Sequence, residues 1–216
     1  MFRTLPAASA SDWSDAVTAT PPEDQVPFPA GVRSEQERLG SRATFASKVF
    51  NADLSDDLIT FLGVIDTFFF ATASADGRPY VQHRGGPPGL LKPIAPRALA
   101  FADFAGNRQY ITLGNLTEND RACIFITHFA TQQRVKFWGR ARAIEGDPAL
   151  MQRLVDPAYK ARPQRAIRFD VEAWDINCRQ HIVPRYTEAE LAPAIDRLAA
   201  RIKELEEEVA RLKAGA

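Results

Sequence analysis

Residues 81–89 form the first segment of the sequence that could contact a ligand through its backbone. His83 and Arg84 end a predicted strand there, and Gly85 and Gly86 follow directly. Glycines after a strand let a ligand approach the main chain closely, and the neighbouring guanidinium adds positive charge. An ordinary Gly/Pro turn is the alternative interpretation of the same residues.

A second segment, residues 103–112, combines groups that are suited to a phosphate. It places Gly106, Arg108 and Thr112 at the predicted start of a helix over residues 107–119. Free amides at a helix start, a guanidinium and a hydroxyl can all donate hydrogen bonds to phosphate oxygens. Taken alone, Arg108 equally fits a solvated surface charge.

Two further segments supply polar donors at predicted strand ends. Gln133 and Arg134 open a long strand, and Asn177, Gln180 and His181 follow the last strand. An amide, a guanidinium and an imidazole can hydrogen-bond the polar edge of a planar ring. For Gln133 and Arg134, an ordinary polar strand start is the alternative.

The sequence lacks the motifs of several other kinds of functional site. The three histidines, His83, His128 and His181, have no metal-ligand spacing, and no nucleophile elbow or Walker loop is present. Cys123 and Cys178 are far apart, so we predict two reduced, buried thiols. Lys plus Arg and Asp plus Glu are equal at 27 each, which disfavours nucleic acid and membrane surfaces as partners.

The pattern of elements predicts a mainly β fold with helices. Ser34 and Ser55 resemble N-caps of two short helices, and Asp76-Gly77 indicates a β-hairpin turn. Short strands with few intervening helices favour a closed antiparallel barrel over a doubly wound sheet. The six predicted strands are residues 66–74, 78–83, 98–102, 121–128, 134–144 and 166–176.

Outside the barrel we predict an extended arm over residues 1–31 and a C-terminal helix over 187–216, which leaves 32–186 as the main domain. No secretory signal or membrane-spanning stretch is evident, so we expect a cytoplasmic protein.

The C-terminal helix carries a heptad pattern. Its apolar residues recur at alternating spacings of four and three, with β-branched residues at a and Leu at d. This choice favours a parallel two-stranded coiled coil, and a helix packed on its own barrel is the alternative. The heptad residues are Leu191, Ile195, Leu198, Ile202, Leu205, Val209 and Leu212.

The order and spacing of these motifs resemble the pyridoxamine 5′-phosphate oxidase-related split-barrel flavoproteins. The resemblance covers residues 32–186 and is most specific at 84–89, 101–119, 134–143 and 174–181. It implies a six-stranded antiparallel split β-barrel and a homodimer with two FMN sites at the subunit interface. Residues 179–181 superficially fit the Arg-x-His pattern of the vitamin-forming oxidase, but the residues around them differ, which points to a different substrate.

The resemblance also implies roles for individual residues. Arg84 and Arg108 would bind the flavin phosphate with Thr112 as an additional donor, and His83 and Gly85 would lie along the flavin-contacting strand. Gln133 and Arg134 would reach the ring system, where negative charge accumulates on reduction. The residues that would close the site are Asn177, Gln180 and His181, and His181 is the candidate general base.

Three functions follow as hypotheses. The first is an FMN-dependent oxidoreductase that transfers a hydride through flavin N5. The second is a non-catalytic flavin- or haem-binding protein, with His83, His128 or His181 as an axial ligand. The third is a deazaflavin-dependent reductase.

Overall fold

The structure, a computed structural model, describes residues 26–215. These residues form two compact units, of which the first comprises residues 26–128 and 133–179. The second comprises residues 129–132 and 180–215. Most of the arm predicted over residues 1–31 lies outside the described residues.

Three helices precede the sheet in the first unit. The predicted cap at Ser34 is wrong, because the first helix already begins at Ala30 and contains Ser34 in its interior. The predicted cap at Ser55 is confirmed, since its Oγ accepts a hydrogen bond of 3.3 Å from the amide of Leu58. The helices are α1 (Ala30–Arg38), α2 (Arg42–Phe45) and α3 (Asp56–Leu62).

Seven strands form one antiparallel sheet. Their order across the sheet is β2-β1-β5-β6-β7-β4-β3, and the predicted hairpin joins β1 to β2. The predicted count of six omitted β3, which has only four residues and includes Pro93. The strands are β1 (Thr67–Ala73), β2 (Pro79–Gly85), β3 (Lys92–Ala95), β4 (Ala98–Phe104), β5 (Arg121–His128), β6 (Gln133–Ile144) and β7 (Pro163–Asn177).

Aromatic contacts show that the sheet curls around its core. The Phe101 ring on β4 packs edge-on against Phe68 and Phe70 of β1, with centroids 5.1 and 5.4 Å apart. Three strands separate β1 from β4 in the sheet, so these contacts cross the interior. No ladder joins the edge strands β2 and β3 anywhere in residues 26–215. The fold is therefore a split β-barrel, as the sequence predicted.

Two shorter helices lie between strands of the barrel. They are α4 (Ile111–Glu118) and α5 (Pro148–Leu154), and α4 begins four residues later than the predicted helix over 107–119. A buried hydrogen bond of 3.0 Å from Asn115 Nδ2 to Thr72 Oγ1 ties α4 to β1. This contact fixes the helix against the barrel wall.

Replacing Asn115 with Leu is expected to lower the free energy of unfolding by about 1–3 kcal/mol, because the buried Thr72 hydroxyl loses its partner. Urea denaturation monitored by circular dichroism measures the change. A second substitution, Thr72→Val, removes the orphaned hydroxyl and should recover most of the loss. A single variant as stable as wild type would contradict the prediction.

The second unit contains one long helix, α6 (Glu188–Ala214). Thr187 caps it in a reciprocal capping box with Glu190, and Pro193 lies within it. All seven heptad residues are exposed to solvent, with exposed fractions of 41% to 69%. No helix within residues 26–215 combines the length and apolar character needed to cross a membrane.

Candidate functional site

A polar cavity of about 190 Å³ lies beside α4 in the first unit. The end of β2, the end of β4, the loop before α4 and the start of β7 provide its walls. The lining side chains that could bind a ligand include Gln82, Arg84, Asp103, Arg108, Gln109, Thr112 and Arg165. Three of these residues, Arg84, Arg108 and Thr112, were predicted to bind phosphate.

A buried carboxylate organises two of the guanidinium groups. Asp103 Oδ1 accepts a hydrogen bond of 2.6 Å from Arg84 Nη1, and its Oδ2 accepts one of 3.2 Å from Arg165 Nη1. The three side chains are only 10% to 15% exposed. A buried charge without a partner is energetically costly, so the ion pairs with Asp103 hold both guanidinium groups in fixed positions.

Arg165 is a site residue that the motifs did not reveal. It lies at the start of β7, and the antiparallel register pairs it with Asp103 on β4. Its only sequence signal is indirect, since the acid at position 103 stands in an otherwise apolar strand and needs a cationic partner. Nothing in the sequence identifies which arginine that partner is.

Arg84 retains donor capacity beyond its ion pair. Its Nε is buried, and it has no hydrogen-bond partner among the residues that the structure describes. Buried donors of this kind are usually satisfied by a protein group, a water or a ligand. Arg165 also donates a hydrogen bond of 3.0 Å from its Nε to Glu145 Oε1. Arg84, Arg108 and Arg165 thus face two carboxylates, those of Asp103 and Glu145, and the one excess positive charge favours an anion.

The loop before α4 has an unusual backbone. Arg108 and Tyr110 have positive φ angles of 63° and 55°. This left-handed conformation is disfavoured for residues with a side chain, and such residues concentrate at ligand sites. Arg108 therefore lies in the loop and not within a helix, and its exposed Nε donates a hydrogen bond of 3.4 Å to the Tyr110 hydroxyl.

Thr112 occupies the first turn of α4 and faces β2. Its side chain is buried, and its Oγ1 donates a hydrogen bond of 3.1 Å to Gln82 Oε1. This bond orients the Gln82 amide at the cavity wall. The predicted role of Thr112 as a phosphate donor stays a prediction.

His83 and Gly85 lie on the edge strand β2, next to the cavity residue Arg84. His83 Nε2 is 2.6 Å from Thr67 Oγ1, and its ring packs against Phe69 at a centroid distance of 5.8 Å. A Cβ on Gly85 would lie 3.0 Å from His83 Cε1. Glycine at position 85 thus allows the imidazole to lie close to the main chain.

Gln133, Arg134 and Asn177 form a separate group at one end of β6 and β7. The register pairs Arg134 with Asn177, and Arg134 Nη2 donates a hydrogen bond of 2.9 Å to the carbonyl of Cys178. The Asn177 Oδ1 is buried without a hydrogen-bond partner in the described part of the chain. None of the three residues is among those lining the cavity.

The remaining candidates are dispersed. Gln180 and His181 belong to the second unit, and His181 has a left-handed φ of 64°. His128 packs edge-on against Phe61 in the first unit, with centroids 6.2 Å apart. Within residues 26–215, no group of three or more His, Cys, Asp and Glu side chains is arranged to hold a metal ion.

The two cysteines differ in exposure, and the prediction that both thiols are buried is wrong for Cys178. Cys178 is exposed at the end of β7, where the chain leaves the sheet, whereas Cys123 on β5 is partly covered. Burial raises the pKa of the Cys123 thiol, and the nearby Lys136 only partly opposes this effect.

Iodoacetamide is therefore expected to alkylate Cys178 before Cys123, because only the thiolate reacts and the raised pKa of Cys123 reduces its thiolate fraction. Peptide mass spectrometry after timed quenching measures both rates. The Cys123 rate should keep rising with pH above the range of an ordinary thiol. Equal rates at all pH values would contradict this prediction.

The comparisons agree with the resemblance noted from the motifs. No curated protein matches the sequence. Solved structures that match part of the chain include HupZ of Group A Streptococcus, with 13% identity over 61% of this chain and 99% of that chain and a TM-score of 0.44. An FMN-binding protein from Syntrophomonas wolfei matches with 13% identity over 68% and 95% of the two chains and a TM-score of 0.43.

An FAD binding protein from Mycobacterium smegmatis matches with 13% identity over 59% of this chain and 97% of that chain, and a TM-score of 0.40. The decisive comparison is with protein families. The family model for pyridoxamine 5′-phosphate oxidase matches residues 54–181, more than half of the chain, and spans the strands and loops that line the cavity. The chain therefore belongs to the pyridoxamine 5′-phosphate oxidase family.

Proposed function

We propose that the protein binds FMN, with the flavin phosphate in the cavity beside α4. The observation that carries this proposal is the convergence of Arg84, Arg108 and Arg165 on one cavity within a family of flavin enzymes. Guanidinium groups bind phosphate oxygens through paired, charge-assisted hydrogen bonds. FMN supplies that phosphate, and its ring would extend from the cavity towards the adjoining strands.

The residues present fit a phosphate. The buried Arg84 Nε, which has no partner in residues 26–215, can donate to an oxygen, and the exposed guanidinium of Arg108 can donate to a second. Asp103 would hold Arg84 and Arg165 in place but would not contact the anion, because a carboxylate has no proton to donate to a phosphate oxygen and repels its charge. Removal of charge at Arg108 should therefore affect binding more than folding.

A second copy of the chain would complete the site. Gln133, Arg134 and Asn177 offer amide and guanidinium groups at a sheet end but do not line the cavity. On the outer face of β1 and β2, the exposed Phe69 and Val81 form part of an apolar surface that a dimer could cover. We infer a homodimer in which each ring contacts the polar residues of one protomer while its phosphate is bound by the other.

Bound FMN would supply hydride transfer through its N5 atom, and we propose an oxidoreductase on this basis. Arg84 and Arg108 would anchor the cofactor, and His83 would border it from β2. Donors from Gln133 and Arg134 would stabilise the negative charge that develops on the reduced ring.

An absorbance spectrum of the purified protein, repeated after reconstitution with FMN and gel filtration, tests the cofactor. Flavin bands that co-elute with the protein are expected, and anaerobic addition of NADH or NADPH, which donates a hydride, should bleach them in an oxidoreductase. A Soret band would indicate haem instead, and retention of a deazaflavin but not FMN would indicate the third function. Either of these results would overturn the FMN assignment.

Complementation between variants tests the shared site. Arg108→Ala and Arg134→Ala each damage one half of every site, so at an FMN concentration near the wild-type dissociation constant neither variant alone should bind appreciable FMN. When the two variants are co-expressed, a mixed dimer regains one intact site, so about a quarter of all sites should bind FMN if subunits pair at random. No recovery would show that both residues act within one chain.

A further inference from the structure

We infer that α6 pairs in parallel with α6 of a second copy of this chain, through residues that have no role in the proposed flavin site. The helix is 27 residues long, which corresponds to about 40 Å. Its seven heptad residues are all exposed, and no residue of α6 is buried. An apolar stripe repeated every three and a half residues along an exposed helix is the pattern of a coiled-coil seam.

The residue types at the seam specify two parallel strands. Leu occupies every d position from residue 191 to 212, and β-branched residues occupy every a position. This combination favours parallel dimers over trimers and tetramers. Pro193 falls at an f position on the opposite side of the helix, where its ring does not interrupt the seam.

Charges beside the seam identify the partner as a second copy. In a parallel pair, a g residue faces the next e residue of the other helix. Arg201 at g would face Glu206 of the second copy, and Glu208 at g would face Lys213, so both contacts are attractive. In the single chain Arg201 only makes an exposed pair of 2.9 Å with Glu204, which leaves it able to turn towards the partner.

The same charges disfavour one of the two main antiparallel alignments, and the residue types at a and d favour the parallel pair over both. Antiparallel helices place g opposite g and e opposite e. Of the two alignments that overlap most of the stripe, one brings Arg201 against Arg201 of the second copy, and the other brings Arg201 against Glu208. The first alignment therefore contains a repulsive contact near its centre, whereas the parallel pair contains none.

Disulfide trapping in the full-length chain tests this pairing without any readout from flavin. In a background of Cys123→Ser and Cys178→Ser, the variant Ile202→Cys places a thiol at the central a position, which meets its own copy only in a parallel pair. Mild oxidation should cross-link most of this variant. The matched variant Ala200→Cys, at an f position, should remain uncross-linked. Equal cross-linking of both would overturn the proposal.

A charge exchange in the Ile202→Cys background tests the orientation. Arg201→Glu creates repulsion against Glu206 and should slow cross-linking about tenfold. Adding Glu206→Arg restores attraction in a parallel pair alone, so the double variant should regain the original rate. The control Lys203→Glu, at a b position away from the seam, also replaces a positive charge with a negative one and should leave the cross-linking rate unchanged. Failure of the double variant to recover would overturn the parallel arrangement.

Discussion

Replacing Arg108 with alanine is expected to weaken FMN binding about 10- to 100-fold, the loss of one charge-assisted contact to phosphate. Among residues 26–215 the side chain makes one long hydrogen bond, to the Tyr110 hydroxyl, so the fold should tolerate its removal. Arg108→Lys keeps the charge but loses the paired donors and should give an intermediate affinity. Quenching of FMN fluorescence on titration measures the dissociation constant.

The matched control is Arg153→Ala, which removes an exposed arginine from α5 away from the cavity. This variant should bind FMN like wild type. Arg84→Ala should weaken binding at least as much as Arg108→Ala and should also lower the melting temperature, because it removes one partner of the buried Asp103. Unchanged FMN affinity in the Arg108→Ala variant would refute the assigned phosphate position.

Gly139→Ala is expected to destabilise the barrel by about 3 kcal/mol or more, since the new methyl group meets backbone that cannot move aside. A Cβ at this position would overlap the carbonyl oxygen of Asp170. The register between β6 and β7 shifts between Trp138 and Gly139, so the bulge itself brings the two strands this close. Urea denaturation should show a large loss of stability or no folded protein.

Gly114→Ala is the matched control for this substitution. Gly114 lies within α4, and nothing lies within 4 Å of a Cβ added there. Alanine is the better helix former, so this variant should gain up to about 1 kcal/mol of stability. A Gly139→Ala variant that unfolds at the same urea concentration as wild type would show that the bulge is not rigid.

The sequence predicted the split barrel well because its strands carry strong local signals. The alternation along β6 and the Asp76-Gly77 turn specify strand type and pairing without tertiary information. β3 was missed because it is short and contains Pro93. Ser34 was mistaken for a cap because serine before acidic residues resembles a helix start even inside a helix.

The site was predicted less completely than the fold, because its residues come from distant segments of the chain and only tertiary contacts bring them together. Arg84, Arg108 and Thr112 stand out by their glycine-rich and helix-start neighbours, and the fold brings all three to one cavity. Arg165 carries no local signal, since only the register of β4 and β7 places it on Asp103. The left-handed backbone at Arg108 is likewise imposed by the loop and not by a glycine.

A comparison of FMN with riboflavin, which is FMN without its phosphate, tests the central claim most directly. Both titrations use the wild-type protein and the same fluorescence readout. If the cavity with Arg84, Arg108 and Arg165 binds the phosphate, FMN should bind at least about 100-fold more tightly than riboflavin. The Arg108→Ala substitution should reduce this ratio of the two dissociation constants. Equal affinities for the two flavins, or binding of neither, would contradict the assignment.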